Sequence, residues 1–482
     1  LWDLLSELER AENHRIASAR ALLHATRKER IRALLRKHRP ELKRFSSAIR
    51  ARASGRQEAL FAEMNLPLLL EAFPLWMSTF RDLAKLAPFE REMFDLVVVD
   101  EATQSDMASA LPALYRAKRA AVTGDPKQLR HVSFLSRERR RILGEEAGLG
   151  EDEIDALDYR EKSLLDLVDD ALASQDRAVF LDEHFRSMPS IIAFSNREFY
   201  GGRLRVMTSR PSTLRAEPIE LRRVEGTRDP QGRNLKEAEA VAAEVVSLVK
   251  RESSLPKGMC HSLGVLSPFR DQVECLVSLL TEKLPLEAIE KHDLLVATPY
   301  GFQGEERDFI FLSFAVDERS HPQAFRHLSQ PDVFNVAVTR ARSRQWVFSS
   351  VPPSKLPEGS LAARYLSEIG NPSAALPTEA PDDALLEAVA RRLEGAGFRV
   401  HRAFLVAGTT VDLVIERETS VLGIDLIGQP GGLGAPLDLE RYRMLRRAGL
   451  SVFPLPIGSW TSDEPSCLAA MERQLVAPSL VT

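Results

Sequence analysis

Leu4, Leu5, Leu8, Ile16, Leu22, Leu23, Ile31, Leu34 and Leu35 recur at helical spacing, and Pro40 interrupts the run. One or two long helices are predicted there. From Phe94 the pattern changes. "FDLVVVD" and "RAAVTGD" are short runs apolar on both faces, separated by the helical "SDMASALPALYRA". Strand, helix, strand is the reading, with both strands buried in a parallel sheet. "EEAGLGEDEIDALD" is acidic and reads as exposed.

A second alternation starts near residue 178. "AVFLDEHFR" reads as strand then loop, and "SMPSIIAFSNREFY" and "KEAEAVAAEVVSLVKRE" read as helices. "SLGVLSPF" is a strand, "RDQVECLVSLLTEKL" a helix, and "DLLVATPYGFQG" and "RDFIFLSFAV" are strands. "PDVFNVAVTRARSRQWVFSS" is helix then strand. Such alternation predicts a second parallel α/β sheet. Residues 353–380, rich in Pro, Ser and Ala, read as a linker. Beyond it come a helix over 382–395, the strands "FRVHRAF", "VDLVIE" and "VLGIDLI", a helix over 437–448 and the strand "SVFPLP". The predicted divisions are a helical stalk at 1–74, part of a first sheet domain at 75–177, a second at 178–352, the linker, and a small α/β unit at 381–482. No internal repeat occurs.

Composition adds bounds. The 482 residues, 44% apolar and 28% charged, describe a globular protein of about three domains. No apolar run is long enough for a membrane span, so no membrane partner is expected. The chain opens at Leu1 on charged helical residues, neither a signal peptide nor a natural start, which reads as part of a longer protein. Cys260, Cys275 and Cys467 show no metal-type spacing and fit packing residues in a reducing cytoplasm. The net charge of −4 hides an asymmetry, since residues 1–60 carry roughly twice as many Lys and Arg as Asp and Glu. A phosphate backbone meets local charge, although a solvated helix face explains that stretch as well.

The chemistry starts at "VVVDEATQ". Asp100 and Glu101 fall at the carboxyl end of a parallel strand, where such sheets place ligands. Two adjacent acids are costly unless a cation or proton offsets them. Magnesium on nucleotide phosphates is one partner, with the second acid orienting a water; an exposed strand-end pair is the plainer alternative. In "GDPKQL", Gly124 permits a tight turn and Gln128 can hydrogen-bond a water or a γ-phosphate. Arg186 in "EHFRS", and Arg340 and Arg342 in "VTRAR", are arginines of the kind that stabilise phosphoryl-transfer charge. Gln303, Gly304 and Glu305 sit at a strand-to-loop junction.

In order and spacing, "DEATQ", "GDPKQL", "HFRS", "SPFRDQ", "ATPYGFQGEE" and "NVAVTRAR" resemble motifs II, III, IV, IVa, V and VI of superfamily 1 helicases, in the DEAxQ branch. The resemblance covers roughly residues 75–350. It implies two RecA-like domains, ATP and Mg2+ as cofactors, and 5′-to-3′ movement on single-stranded or forked DNA, with RNA not separated from DNA by these motifs. Asp100 would bind magnesium, Glu101 would polarise the hydrolytic water and Gln128 would sense the γ-phosphate. Arg186 and Arg340 would contact that phosphate from the second RecA-like domain. Glu305 would touch the ribose or couple it to the strand, and Gln104, Gly124, Asp125, Gln303, Gly304 and Arg342 would complete the nucleotide site. "WMST" resembles motif Ic. Ser78, Thr79, Ser267, Pro268 and Thr298 would then meet the strand's sugar and phosphate. Arg270 would do the same or cap a helix.

Such a helicase also needs GxxxxGK[ST] to cradle the phosphates, and the sequence contains none. That loop is expected upstream of residue 1, in a partner chain, or lost. The first RecA-like sheet is then incomplete, with a raw edge and exposed apolar surface that a partner would cover. This stretch alone is expected to bind ATP poorly and not to unwind.

Residues 381–482 resemble the PD-(D/E)XK, restriction-endonuclease-like fold, closest to very-short-patch-repair domains on bacterial helicases. Glu387, Asp412 and Asp425 fall where active relatives hold a metal. Two residues on, Ile427 stands where an acid or Lys belongs, and "QPGG" where a His is common; His401 reads as packing. The site is therefore expected to be vestigial. The leading expectation is an ATP-dependent helicase or translocase, for which defence against foreign DNA is an association. The alternatives are a non-catalytic nucleic-acid-binding pseudohelicase and a metal-dependent nuclease fed by the motor.

Overall fold

The structure is a computed structural model. It describes residues 2–51, 53–133, 135–156, 158, 160–172, 177–369, 383–418, 420–428 and 438–476. The chain divides into two units, Leu1–Pro126 with Arg130–Val179, and Lys127–Leu129 with Phe180–Thr482.

The first unit begins with one helix, Trp2–Lys37, and a second, Arg39–Arg50, carrying Pro40 in its first turn, where proline's missing N–H has no helical partner to lose. Of the periodic leucines only Leu34 is buried, while Leu4, Leu22 and Leu23 lie in the open. Its core forms at the base, where Leu34, Ala48, Phe61, Leu66, Leu69 and Ala72 pack together beside Phe45, Phe73 and Trp76. Strands β1 (Val97–Val99) and β2 (Ala120–Val122) then pair in parallel, Val97 opposite Ala120. Val99 is buried with Ala102, Ala110 and Leu164, but Val98 is 60% exposed and Leu96 53%. Burial on both faces was the expectation; among the described residues only one face is covered.

The second unit holds a two-stranded pair, β3 (Glu183–His184) with β4 (Arg205–Val206). It also holds a wholly parallel sheet of β5 (Ile219–Arg223), β6 (Leu263–Leu266), β7 (Leu295–Ala297), β8 (Arg307–Ser313) and β9 (Ala341–Ser349), in the order β5-β9-β8-β6-β7. Ala238, Val241 and Val245 of helix Leu235–Arg251 cover one face, packing on Val265, Phe311 and Trp346. Phe194, Phe334 and Tyr365 cover the other with Ile310, Leu312 and Val347. Covering both faces explains the unbroken apolar runs of β6 and β8.

Two expectations are corrected. "AVFLD" forms no strand: Val179 and Leu181 are exposed, and only Glu183–His184 pairs. Residues 353–369 are not linker. Helix Leu361–Ile369 buries Leu361, Ala362, Tyr365 and Leu366 in the sheet's core, a helical stripe that the surrounding Pro and Ser content hides. The rest of that stretch lies outside the described residues.

The C-terminal part carries β10 (Arg399–Val406), β11 (Thr409–Arg417), β12 (Ser420–Ile427) and β13 (Val452–Pro456), antiparallel except for the parallel β12–β13 pair. It is not free-standing in this unit. Met207 enters its core beside Phe404, Val406, Val411 and Leu445, and Arg447 pairs with Glu183 (2.6 Å). Among the described residues no helix is long and apolar enough to cross a membrane.

Candidate nucleotide and nucleic-acid site

In the first unit the site grows from the end of β1. Thr123 Oγ1 donates to Asp100 Oδ1 (2.7 Å), as does the Glu101 N–H (3.0 Å). The neighbouring strand ends lock together: Thr123 N–H donates to the Val99 carbonyl and Ala102 N–H to the Thr123 carbonyl, each at 2.8 Å. Glu101 adopts left-handed backbone, φ +52°, strain of the kind that collects where function constrains a side chain. Gly124 is needed for space rather than for a left-handed turn. A Cβ there would lie 3.2 Å from Ala102 N and from the Leu165 side chain. Gly124 therefore sets the spacing of the two loops, while Gln104 is exposed and Asp125 half-buried. Thr123 is the member that sequence reasoning missed.

In the second unit the residues gather at the amino ends of β8 and β9, not at carboxyl ends. Arg340 is 2% exposed; its Nη2 donates to Gln128 Oε1 (3.2 Å) and its Nε to the Val336 carbonyl (3.1 Å). Gln303 Nε2 donates to the Leu129 carbonyl (3.0 Å), and Asn335 Nδ2 to that of Lys127 (2.9 Å). Leu129 is buried against Val333 and Val336. Gln128, Gln303 and Arg340, predicted from three separate motifs, are thus brought together.

Arg186 and Arg342 form a second group. Both guanidinium groups pair with the Glu306 carboxylate, Arg342 Nε at 2.8 Å. Burial alone would raise the Glu306 carboxyl; the two arginines outweigh it and hold it below its ordinary range. Glu305, expected at the ribose or in coupling it to the strand, is exposed and pairs with Arg307 (2.7 Å). The left-handed turn at Gly304 (φ +76°) precedes these two glutamates, and it is Glu306 that meets the arginines.

The Arg186 turn is tied down by its neighbours. Ser187 N–H donates to His184 Nε2 (3.0 Å), Ser187 Oγ to the Ala341 carbonyl (2.8 Å) and Met188 N–H to that of Arg342 (3.0 Å). Burial, reinforced by Arg186, pushes His184 down to about 4 from its ordinary 6.5. The unfolded chain therefore takes this proton first. His184's contribution is complete above about pH 6.5 and is lost as pH falls toward 4. Urea midpoints measured across that window should fall with pH, and His184→Gln, an acceptor that does not titrate, should flatten the slope.

The candidate strand contacts divide. Ser78 is exposed. Thr79 caps helix Phe80–Leu86, accepting from the Asp82 N–H (3.1 Å) and donating to its carboxylate (2.9 Å). Thr298 is half-buried, with its carbonyl accepting from Gly301 and Phe302 N–H. Ser267 is fully buried, its hydroxyl accepting from Phe269 N–H (3.3 Å), and Pro268 is buried beside it. These two correct the expectation, since a group turned into the core offers a strand nothing. Arg270 is exposed and pairs with Glu274 one turn on (3.0 Å).

The C-terminal acids are spent internally. Asp412 Oδ2 accepts from Leu426 N–H (2.7 Å), and burial, with Asp425 adding, pushes its carboxyl above the ordinary range. Asp425 is clasped by Arg441, whose Nη2 lies 3.0 Å from Oδ1 and also donates to the Thr410 carbonyl (2.7 Å). Glu387 instead pairs with Arg402 (2.6 Å), and His401 meets Glu416 (3.3 Å). Ile427 closes β12 without a donor, and the "QPGG" stretch falls outside the described residues. Arg441 supplies a positive charge where a metal would. Arg441→Ala should cost about 3 kcal/mol, because it leaves the buried Asp425 without a cation beside it. Melting should show the variant, but not the parent protein, stabilised by millimolar Mn2+.

The parallel sheets, with acids at a strand end of the first unit and glutamines and arginines gathered in the second, fit RecA-like domains. The comparisons sharpen this. Residues 3–134 and 160–351 match two family models, each described as an AAA domain. The chain is 28% identical over 322 residues to the uncharacterized ATP-dependent helicase MG140 homolog of Mycoplasma pneumoniae, covering 63% of this chain and 28% of that protein. It is 26% identical over 292 residues to helicase SEN1 of Saccharomyces cerevisiae, covering 55% and 12%. To the DNA polymerase alpha-associated DNA helicase A of the same yeast it is 25% identical over 292 residues, covering 54% and 39%. Among solved structures, the PRRSV helicase is 14% identical, covering 52% of this chain and 34% of that one, with a TM-score of 0.26. The curated relatives named here are helicases. The chain spans well under half the length of the curated relatives it matches.

Proposed function

We propose that this chain is part of the motor of an ATP-dependent superfamily 1 helicase or translocase. Hydrolysis by its two RecA-like domains would drive movement on single-stranded or forked DNA. The gathering of Gln128, Gln303 and Arg340, from motifs III, V and VI, carries this reading. The donor set fits magnesium-bound ATP. Asp100 has one oxygen fixed by Thr123 and the Glu101 N–H, which leaves the other to face a cation. Bound ATP with Mg2+ would supply the anhydride that is cleaved. Glu101 would take up the proton of the attacking water, Gln128 would orient that water or the terminal phosphate, and Arg186, Arg340 and Arg342 would neutralise phosphate charge. In this reading Glu306 holds Arg186 and Arg342 until phosphate replaces it. The phosphate-cradling loop would come from an upstream segment or a partner chain. The bare face at Leu96 and Val98 is the apolar surface such a piece would cover. The C-terminal part serves docking or DNA binding, because Arg441 and Ile427 take the places that metal-dependent cleavage needs filled otherwise.

The test measures ATP hydrolysis by this chain joined to, or mixed with, a segment bearing GxxxxGK[ST], with oligo-dT and oligo-U as activators. Strand-stimulated hydrolysis supports the motor, and a preference for oligo-U would move the substrate to RNA. Strand binding indifferent to ATP, with no hydrolysis, would replace the motor with a pseudohelicase scaffold.

A further inference from the structure

At the amino ends of β6 and β7, three metal-ligating side chains meet that the helicase reading does not use. A carboxylate oxygen of Glu252, the Cys260 Sγ and a ring nitrogen of His292 lie within 4.8 Å of one another. Glu252 closes helix Leu235–Arg251, Cys260 follows a short turn, and His292 precedes β7. Glu252 and His292 are buried, and Cys260 is half-buried.

We propose that Glu252, Cys260 and His292 form a binding site for a thiophilic divalent cation of the zinc class. The imidazole is set up for this role. Its Nδ1 lies 2.9 Å from the His261 carbonyl, which can only accept, so Nδ1 carries the proton and Nε2 keeps the lone pair. With His292 1% exposed, Nε2 is buried without a hydrogen-bond partner. A histidine that donates one ring nitrogen to a backbone carbonyl and keeps the other for a cation is the usual second-shell arrangement of metal sites. Glu252 is oriented similarly. Its Oε1 meets His261 Nδ1 (2.6 Å), and its Oε2 accepts from the His261 N–H (3.0 Å) and faces His292 Nδ1 (3.7 Å).

One sulfur, one imidazole and one carboxylate select a borderline-soft cation over Mg2+ or Ca2+. Zinc bonds of about 2.0–2.3 Å would draw the three donors inward by roughly half an ångström, with water as fourth ligand. Cys260 Sγ lies 3.5–3.7 Å from the carbonyls of Pro256, Leu255 and Glu252. Binding releases the thiol proton to solvent as the metal–sulfur bond forms. Lys291 Nζ occupies the carbonyls of Ser253 (2.9 Å) and Glu252 (3.3 Å), outside this donor set.

Cobalt titration of the 482-residue chain after chelator dialysis tests the site. A sulfur-to-cobalt charge-transfer band that reaches one equivalent and is displaced by zinc is expected. Cys260→Ser, nearly isosteric, should abolish the band, and His292→Gln should weaken binding at least tenfold. Cys275→Ser and Cys467→Ser should leave it unchanged. No band in the parent chain, or a band that survives Cys260→Ser, overturns the proposal. Neither result depends on ATP hydrolysis.

Discussion

Glu101→Gln, in the chain supplied with a phosphate-cradling loop, is expected to lower ATP turnover by about 10²–10⁴-fold, the span a positioned general base contributes. The fold should not change. Gln has the same length as Glu and meets the same left-handed backbone at φ +52°. The bonds that shape the loop, from Thr123 and Ala102, do not use the residue-101 side chain. Strand binding and melting should therefore match the parent while turnover is lost. A chain whose turnover survives the change uses another base. Thr123→Val provides the graded companion. It removes the hydroxyl that holds Asp100 Oδ1 and should raise the Mg2+ needed for half-maximal turnover by about tenfold, the worth of one hydrogen bond to a charged group.

Glu237→Ala is expected to destabilise the second sheet by about 3 kcal/mol, shifting melting down by roughly 6–12 °C. Glu237 is fully buried near the carboxyl end of β8. Its Oε1 accepts from Ala315 N–H and Ser313 Oγ, both at 2.7 Å, and its Oε2 from Ser350 Oγ (3.0 Å). The hydroxyls can turn elsewhere; the Ala315 N–H cannot, because that residue is itself left-handed (φ +53°). Burial pushes the Glu237 carboxyl up to about 7 against the donors that pull it down. A folded state that keeps this proton longer than the unfolded chain loses stability as pH rises from about 4.5 through 7. This slope is opposite to that of His184. Glu237→Gln keeps an acceptor for Ala315 and should cost about 1 kcal/mol, with the rising-pH loss removed. Denaturant midpoints of the parent and both variants at pH 5 and pH 8 measure this; equal midpoints for Glu237→Ala and the parent would remove Glu237 from the network.

Much of the sheet core was legible, because period and punctuation are local. The apolar runs now seen as β6 and β8 and the helix Leu235–Arg251 follow from a few consecutive side chains. Where patterns mixed, reading failed. "SLAARYLSEI" sits inside a Pro- and Ser-rich stretch, and composition outweighed its four-residue stripe. β5, "IELRR", alternates too briefly to stand out. The positions of Asp100, Glu101, Gln128, Arg186 and Arg340 near strand ends could be read from the chain, because that spacing is short-range. Ser267 was misjudged, because a hydroxyl beside a strand end looks the same whether it faces solvent or core.

The sequence by itself determined which stretches are strands and helices in the central sheet, and which charged residues stand at their ends, since both depend on neighbours a few residues apart. Tertiary structure decided the pairings. It set Glu306 against Arg186 and Arg342, gave Asp100 its Thr123, placed Arg441 on Asp425 and brought Cys260 beside His292. Each of these joins backbone segments through contacts that close only when strands far apart in the chain pack together. No spacing along the chain encodes a distance that the packing itself creates.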